Sequence, residues 1–378
     1  MLSFWEKNSL VKYHYIVIGA GITGLSVACE LKEKYPNREV LVLERGLLPS
    51  GASTKNAGFA CIGSLSEKLH DLSLMGEERL KQLIADRYLG LQLLRARLGD
   101  EAIGFESYGG YEIVMKNQDA SFLKRLEEMN AILHPLFNRN VFTLNNNSAR
   151  TFGFNEGKIE ALVFNELEGQ IDTGKMMQSL WTYAQSRGIK IITGAEVQDI
   201  EENESEVLLH LKDMQFIAQH IFICTNAFTK KIVPNIELNP GRGQVIATAP
   251  IPNLKVKGIF FFDEGYYYFK NFENRIIFGG GRNLDFKGEE TTEFGSNQKI
   301  LQQLEYYLSE IILPNQPFTI EHSWSGIMAF GNNKLPIVKA LSNRQYMGVR
   351  LNGMGVALGS KIAKDLVNIH IDKVLANN

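Results

Sequence analysis

The sequence predicts an α/β protein in which a parallel sheet covered by helices is interleaved with a mainly antiparallel α+β unit. Three observations predict it. A strand, a glycine-rich turn, a helix and a second strand open the chain between Tyr13 and Leu43, closing a βαβ unit of about 30 residues. Closely spaced strands with few helices then fill the stretch from Gly243 to Gly281. Near the end, residues 346–349 and the helical run 356–371 return to the character of the opening layer, so each unit draws on several stretches of chain.

Taken in order, residues 13–18 form a short apolar run that ends in glycine, the mark of a buried strand. Residues 22–34 carry Leu25, Ala28, Cys29 and Leu31 at helical spacing, and 39–43 are a second buried strand. The glycine- and serine-rich residues 46–66 are long for a connection, which points to function. One long helix is expected over 74–98, striped by Leu80, Leu83, Ile84, Leu91 and Leu94, and another over 120–132. Residues 173–186 read as a helix, 189–192 and 196–201 as strands, and 207–211 with 216–224 as a hairpin. A helix over 298–311 packs on the antiparallel unit, while 320–328 are assigned to the first layer.

Composition removes several classes of function. Hydrophobic residues make up 44% and charged residues 22% of the 378, as in ordinary globular proteins. Forty basic and 42 acidic residues are well mixed and leave a net charge of -2, so there is no basic footprint for nucleic acid. No apolar run approaches the ~18 residues of a membrane span. The opening "MLSFWEKNSLVKYH" lacks the continuous apolar region and small-residue cleavage site of a signal peptide. Cys29, Cys61 and Cys224 are far apart and show no CxxC spacing, which fits reduced thiols and predicts a cytoplasmic protein. The histidines form no metal-ligand cluster.

Gly19, Gly21 and Gly24 form G-x-G-x-x-G between the first strand and the first helix. The first glycine permits a tight turn, the second lets a pyrophosphate reach the backbone, and the third lets helix and strand pack closely. Glu44 ends the second strand, where an acid accepts the hydroxyls of an adenosine ribose. A second glycine cluster, "RLNGMGVALGS" at 350–360, precedes the last helix. A nicotinamide dehydrogenase completes its nucleotide fold in one N-terminal stretch and leaves that cluster unexplained. A long ligand bound along its whole length explains both, and FAD meets that requirement.

These residues resemble the FAD-dependent amine and amino-acid oxidoreductases that include D-amino-acid, glycine and sarcosine oxidases. The resemblance runs through "YIVIGAGITGLSVACEL", "GASTKNAGFACIGS", "GQIDTGKMMQSL", "ICTNAF", "RGQV", "RIIFGGGRN", "WSGIMAF" and "YMGVRLNGMGVALGS". The loop at 51–64 is closest to the γ-glutamylputrescine-oxidase-like branch, with Lys55 in place of arginine. The resemblance implies a Rossmann-like FAD-binding domain interleaved with a mainly antiparallel α+β substrate domain. The expected division gives 1–84, 158–236 and 320–378 to the first and 85–157 and 237–319 to the second.

It also implies roles. Gly19, Gly21, Ile22, Thr23 and Gly24 hold the pyrophosphate, and Glu44 with Arg45 the adenosine. Ala52, Ser53, Asn56, Ala57 and Gly58 pass beside the pyrophosphate and the isoalloxazine, and Val197 meets the adenine. Thr225, Asn226 and Ala227 lie on the other side of the pyrophosphate, unless "ICTNAF" is a plain strand end. Asn352, Gly353, Met354, Gly355 and Val356 bring backbone N–H groups to the flavin ring. In such enzymes the α-carbon of an amine or amino acid delivers hydride to flavin N5, and the imine then hydrolyses.

Arg350 is the candidate to grip a substrate carboxylate, with a structural arginine as the alternative; Arg242 is expected to pin the two units together. Tyr267, in "GYYYFK", is the nearest match to a substrate-contacting tyrosine, with sheet packing as the alternative, and Trp324 and Met328 approach the ring. "WSGIMAF" lacks the cysteine that some relatives attach to flavin, so FAD is expected to be non-covalent. The oxygen-promoting lysine of sarcosine-oxidase-like relatives is absent from "RIIFGGG", and their carboxylate-binding lysine is replaced by Ala357. Cys61 reads as a buried inert thiol, with a redox-active one beside the flavin loop as the alternative, and His322 as structural rather than a general base.

Three readings follow: an oxidase using oxygen, a dehydrogenase passing electrons to a quinone or carrier protein, and a catalytically lapsed flavoprotein acting as a binding subunit. The sequence leaves room for a homo-oligomer.

Overall fold

The computed structural model describes residues 3–145 and 148–376. β1 (Lys12–Ile18) lies at the centre of an eight-stranded sheet, with parallel partners on both sides, β2 (Val40–Leu43) and β11 (Gln215–Ile223). A strand covered on both faces has no polar side to alternate with, which is why "KYHYIVI" ends in an unbroken apolar run; Ile16 and Val17 are fully buried. β8 (Lys190–Ile192) extends the sheet beyond β2 and β18 (Gln345–Val349) beyond β11, both parallel. β17 (Ile337–Ala340) closes one edge antiparallel, and the antiparallel pair β9 (Asp199–Glu202) and β10 (Val207–His210) leans on β11.

One face of this sheet is covered by α2 (Ile22–Lys34), α4 (Glu77–Leu98), α7 (Thr173–Ser186) and α9 (Gly355–Ala376). Leu25, Leu91, Leu180 and Leu366 from these helices share a buried cluster with Val17 and Val42. On the opposite face Ile16 and Leu41 pack with Val207 and Phe216, and also with Ile327 and Ala329 from the second sheet. The short α1 (Phe4–Ser9), held by a Ser3–Glu6 capping box, buries no residue of its own. The single helix expected over 74–98 is two: α3 (Leu65–Met75) stops at Gly76, whose φ of 78° starts a new direction for α4.

The second sheet also has eight strands, in the order β16 (Ile320–Phe330), β12 (Asn239–Thr248), β15 (Arg275–Gly280), β14 (Tyr267–Phe272), β13 (Ile259–Phe262), β4 (Gly110–Met115), β6 (Ile159–Asn165) and β5 (Phe142–Leu144). Neighbours are antiparallel except β13 and β4. Its core is aromatic: Phe260 and Phe269 stack at 4.8 Å, and α8 (Gln298–Tyr307) adds Ile300 and Leu304. α5 (Leu126–Phe137) and α6 (Ser148–Phe152) cover the outer strands. A two-stranded ladder of β3 (Phe59–Ala60) and β7 (Gly169–Gln170) buckles the long loop after β2 onto the body.

Three assignments change. β16, expected in the first layer, pairs with β12 along its length, from Asn239 opposite Phe330 to Thr248 opposite Ile320. β6, at the start of a stretch assigned to the same layer, pairs with β4 in the second sheet. Residues 85–98, assigned to the substrate unit, belong to α4 and pack on the first sheet. An apolar strand does not encode which sheet it joins; partner and register come from tertiary packing.

The parallel strands point their carboxyl ends at one edge of the first sheet. Gly19 after β1, Glu44 after β2, Thr225 after β11 and Arg350 after β18 therefore gather there from four distant places in the chain. That edge is where an open α/β sheet binds its ligand.

A candidate cofactor and substrate cavity

A cavity of about 700 Å³ runs from this edge to the face of the second sheet formed by β12, β14 and β16. At Gly19, with φ of 103°, a Cβ would stand 2.8 Å from the Cys224 carbonyl oxygen, so only glycine lets β1 and β11 end side by side. The first N–H groups of α2 have no acceptor within the helix, and its N-terminal residues Gly21, Ile22 and Thr23 line the cavity. Ile22 N–H donates to Ser53 Oγ at 3.0 Å, which ties the loop after β2 to the helix start. The arrangement fits an anion such as a pyrophosphate.

At one end Glu44 is buried but lines the cavity. Its Oε1 accepts from Gly46 N–H at 3.0 Å and Ser50 Oγ at 2.9 Å, and its Oε2 accepts from Ala20 N–H at 3.0 Å. Oε2 keeps a lone pair for a further donor. The Arg45 guanidinium lies 3.5 Å over Phe228, and Ala195 with Val197 adds an apolar wall. A flat apolar slot beside a fixed carboxylate fits a nucleoside.

At the other end the chain leaves β18 through a short stretch with three left-handed residues. Arg350 (φ 64°), Asn352 (φ 50°) and Gly353 (φ 82°) all have left-handed conformations. Asn226 Oδ1 accepts from Arg350 N–H at 3.0 Å, and Asn352 N–H donates to Ala329 carbonyl at 3.1 Å. These bonds aim α9, whose first N–H groups at Gly355, Val356 and Ala357 lack helical acceptors and line the cavity. Asn352, Gly353 and Met354 line it as well. A ring system whose edge becomes anionic on reduction fits this stretch.

Facing it, the cross-strand partners Gly243 and Gly326 make a floor without side chains on β12 and β16, while the Phe330 ring covers Gly241, whose Cβ would stand 2.4 Å from it. Met328, Phe59, Phe261, Cys61 and Tyr268 enclose the space. Burial pushes the Tyr268 phenol up to about 12, and the Cys61 thiol well above its ordinary value. Arg282 reaches in from the turn after β15, where burial lowers its guanidinium from the ordinary value. Deeper in, Glu67 is matched by Lys68 (3.1 Å), Arg87 (3.2 Å) and Lys334 (3.0 Å). Burial opposes its charge, but those three cations outweigh burial and hold Glu67 well below the carboxylate range.

Most residues expected to hold a cofactor meet in this cavity: Gly19, Gly21, Ile22, Thr23, Glu44, Arg45, Ala52, Ser53, Asn56, Ala57, Val197, Thr225, Asn226, Asn352, Gly353, Met354, Gly355 and Val356. Two glycines serve packing instead. A Cβ on Gly24 would stand 1.8 Å from the Gly19 carbonyl oxygen, and one on Gly58 would stand 2.3 Å from that of Ile171. Asn56 organises the loop, since its Oδ1 accepts from Gly58 N–H and Thr173 Oγ1.

Of the substrate candidates, Met328 lines the cavity and two others do not. Tyr267 points the other way, stacked on Phe262 at 4.9 Å in the aromatic core; alternation along β14 sends Tyr268 to the cavity instead. Arg350 is buried with its guanidinium turned from the cavity. It donates to the carbonyls of Leu335 (3.1 Å) and Glu237 (3.0 Å) and to Asn333 Oδ1 (3.2 Å). The alternative structural reading holds for both. Arg242 is structural but does not pin the two units together: it forks onto the buried Glu289 of its own unit, both bonds at 2.9 Å. Trp324 donates to the Lys55 carbonyl at 2.9 Å and braces the loop. Sequence reasoning missed Tyr268, Arg282 and Lys334; for Arg282 the signal was its place directly after three glycines in "GGGRN".

Fold and cavity together define a flavin-type oxidoreductase, with a dinucleotide site opening onto a substrate chamber. The chain belongs to the FAD dependent oxidoreductase (DAO) family, whose pattern it matches over residues 14–369, and the protein is an FAD-dependent enzyme. Probable oxidoreductase OrdL of Haemophilus influenzae is 22% identical over 357 residues, 90% of this chain and 79% of that protein. The L-proline dehydrogenase structure from P. horikoshii superimposes with a TM-score of 0.77 at 18% identity, over 95% of this chain and 93% of that one. Glycine oxidase from Geobacillus kaustophilus gives 0.74 at 20% identity, over 96% and 95%. At such identities the structural likeness carries the fold. Among the described residues no helix is long and apolar enough to cross a membrane, and no group of three or more metal-ligating side chains occurs.

Proposed function

We propose that the protein oxidises the C–N bond of an amine or amino acid, that the imine product hydrolyses, and that oxygen accepts the electrons. The observation that carries this reading is the convergence of the free N–H groups of α9 with the side-chain-free floor of β12 and β16 on one cavity. When bound, FAD supplies the two-electron acceptor for the hydrogen leaving the substrate α-carbon. The N–H groups of Gly355, Val356 and Ala357 stabilise negative charge that develops beside them, and the helix dipole adds to this. Met328, Phe59, Phe261 and Tyr268 exclude water, while the glycine floor lets a small substrate lie flat.

Attachment of FAD is non-covalent on this reading. Cys61 and Cys224 line the cavity, but burial raises both thiols far above neutrality and leaves no thiolate to attack a ring. Acid precipitation of the yellow protein is expected to leave all the flavin in the supernatant.

The test of activity is anaerobic bleaching of the bound flavin by a panel of amines and amino acids, followed by air. Bleaching with fast recolouring in air supports the oxidase. Bleaching without recolouring until a quinone is added supports a dehydrogenase, the reading favoured by the absence of any lysine from β15. A flavin that no amine bleaches rejects C–N oxidation and leaves a binding subunit.

A further inference from the structure

Two cations on the wall of the substrate chamber have no ion-pair partner among the described residues. The Arg282 guanidinium lies 3.9 Å from the ring centre of Phe330 and 4.8 Å from that of Phe286, and makes no hydrogen bond or ion pair among the described residues. The Lys55 ammonium lies 5.2 Å over Phe294 and is likewise unpaired. Arg45, also without an ion pair, lies at the nucleoside end over Phe228 and donates to Ser50 Oγ at 2.9 Å, whereas Glu67 in the chamber is matched by three cations. A guanidinium held by stacking keeps its in-plane N–H fork free, the geometry that fits a carboxylate.

The two cations overlook one surface. Arg282 Nη1 lies 3.3 Å from the position a Cβ would take on Gly241, and Lys55 Cβ lies 3.2 Å from that of Gly326. Gly241 and Gly243 are two apart on β12 and so share a face about 7 Å apart, and Gly243 is the cross-strand neighbour of Gly326. The Tyr268 hydroxyl lies 3.9 Å from the Cβ position of Gly243 and has no hydrogen-bond partner among the described residues. Phe330 covers Gly241, so the open floor is Gly243 with Gly326, and three unsatisfied donors surround it. A polyamine placed there meets two bare positive charges, and a neutral amine leaves all three donors unsatisfied.

We propose that the substrate is an amine bearing two carboxylates, one held by Arg282 and Tyr268 beside Gly243, the other reached by Lys55 at the Gly326 side. The substrate role of this site rests on the C–N oxidation proposed above, whereas the dianion site itself does not.

The experiment uses the FAD-loaded protein and reads the visible spectrum of the bound flavin during titration with succinate, glutarate, butyrate and butylamine, none of which is an α-amino acid. A dicarboxylate is expected to bind roughly tenfold or more tighter than butyrate, the value of one charged hydrogen bond. Lys55→Gln is expected to remove that preference and leave butyrate unchanged. Arg282→Gln is expected to weaken dicarboxylate and butyrate alike. Equal affinity of the unmodified enzyme for butyrate and both dicarboxylates overturns the proposal without recourse to any variant, as does tightest binding by butylamine. So does a dicarboxylate preference that survives Lys55→Gln. Anaerobic bleaching is then compared for aspartate, glutamate and N-carboxymethyl amino acids against glycine, alanine and sarcosine. If dicarboxylates perturb the spectrum but no amine bleaches it, C–N oxidation fails and the dianion site stands.

Discussion

At the scale of single residues, β14 shows how much depends on which face a side chain takes. Tyr267 and Tyr268 are neighbours with opposite fates, one in the aromatic core and one on the cavity. Tyr267→Ala is expected to cost roughly 3–5 kcal/mol of stability in denaturant unfolding, as for other large aromatic truncations. Tyr268→Phe is expected to unfold like the parent protein and to change only ligand titrations of the flavin. Arg350 makes the complementary case. Its acceptors are the carbonyls of Leu335 and Glu237 and the side-chain Oδ1 of Asn333, so Arg350→Met leaves two carbonyls without their donor. The expected outcome is a lower Tm and weaker flavin retention, with the preference between carboxylate and non-carboxylate ligands unchanged. A changed preference would return Arg350 to the substrate.

At the scale of elements, α9 is the piece that sets the cofactor end of the cavity. Gly90 of α4 touches it so closely that a Cβ would stand 2.0 Å from the Ala357 carbonyl oxygen. Gly90→Val is expected to push the start of α9 out of place, and fluorescence of released flavin on dilution measures this. The far end of α9 packs His370 against His220 at 4.6 Å, under Tyr15 and Tyr346. Burial lowers both imidazoles to about 4, with His220 also pushing His370 down. They fold neutral, so stability is full above the ordinary value of 6.5 and is lost as pH falls from there towards 4. The base of α3 behaves in the opposite sense. Glu112 accepts from Ser66, and Glu168 accepts from the N–H groups of Ile62 and Gly63, yet burial raises the two carboxyls to about 7 and about 8. These fold protonated, so their contribution is full below 4.5 and is lost as pH rises through 7 to 8. Thermal unfolding across pH 4 to 9 is therefore expected to peak between the two limits. His370→Phe is expected to flatten the acid side and Glu168→Gln the alkaline side. Unchanged slopes in these variants would assign the pH dependence to other groups.

At the scale of the whole molecule, the cavity lies between two sheets that share no strand, so a bound ligand joins them. FAD at a hundred times its Kd adds about 2.7 kcal/mol by mass action. Stripping the flavin is expected to lower Tm, and adding it back to restore Tm, in a concentration-dependent way. A Tm indifferent to FAD would mean that the cavity is not where it binds. The sequence by itself determined the parts that obey local rules. Gly19, Glu44 and the stretch from Asn352 to Val356 were legible because a tight turn, a strand-end acid and a helix start each demand particular residue types within a few positions. The first βαβ unit was legible because both faces of its strands are buried. Only the tertiary structure decided which sheet takes β16, which of three adjacent tyrosines turns away from the cavity, and that Arg282 rather than Arg350 stands free. Strand partners, side-chain direction and charge compensation depend on residues far away in the chain. Arg350 is neutralised in role by carbonyls at 237 and 335, and Arg282 is left without a partner by the rings that hold it.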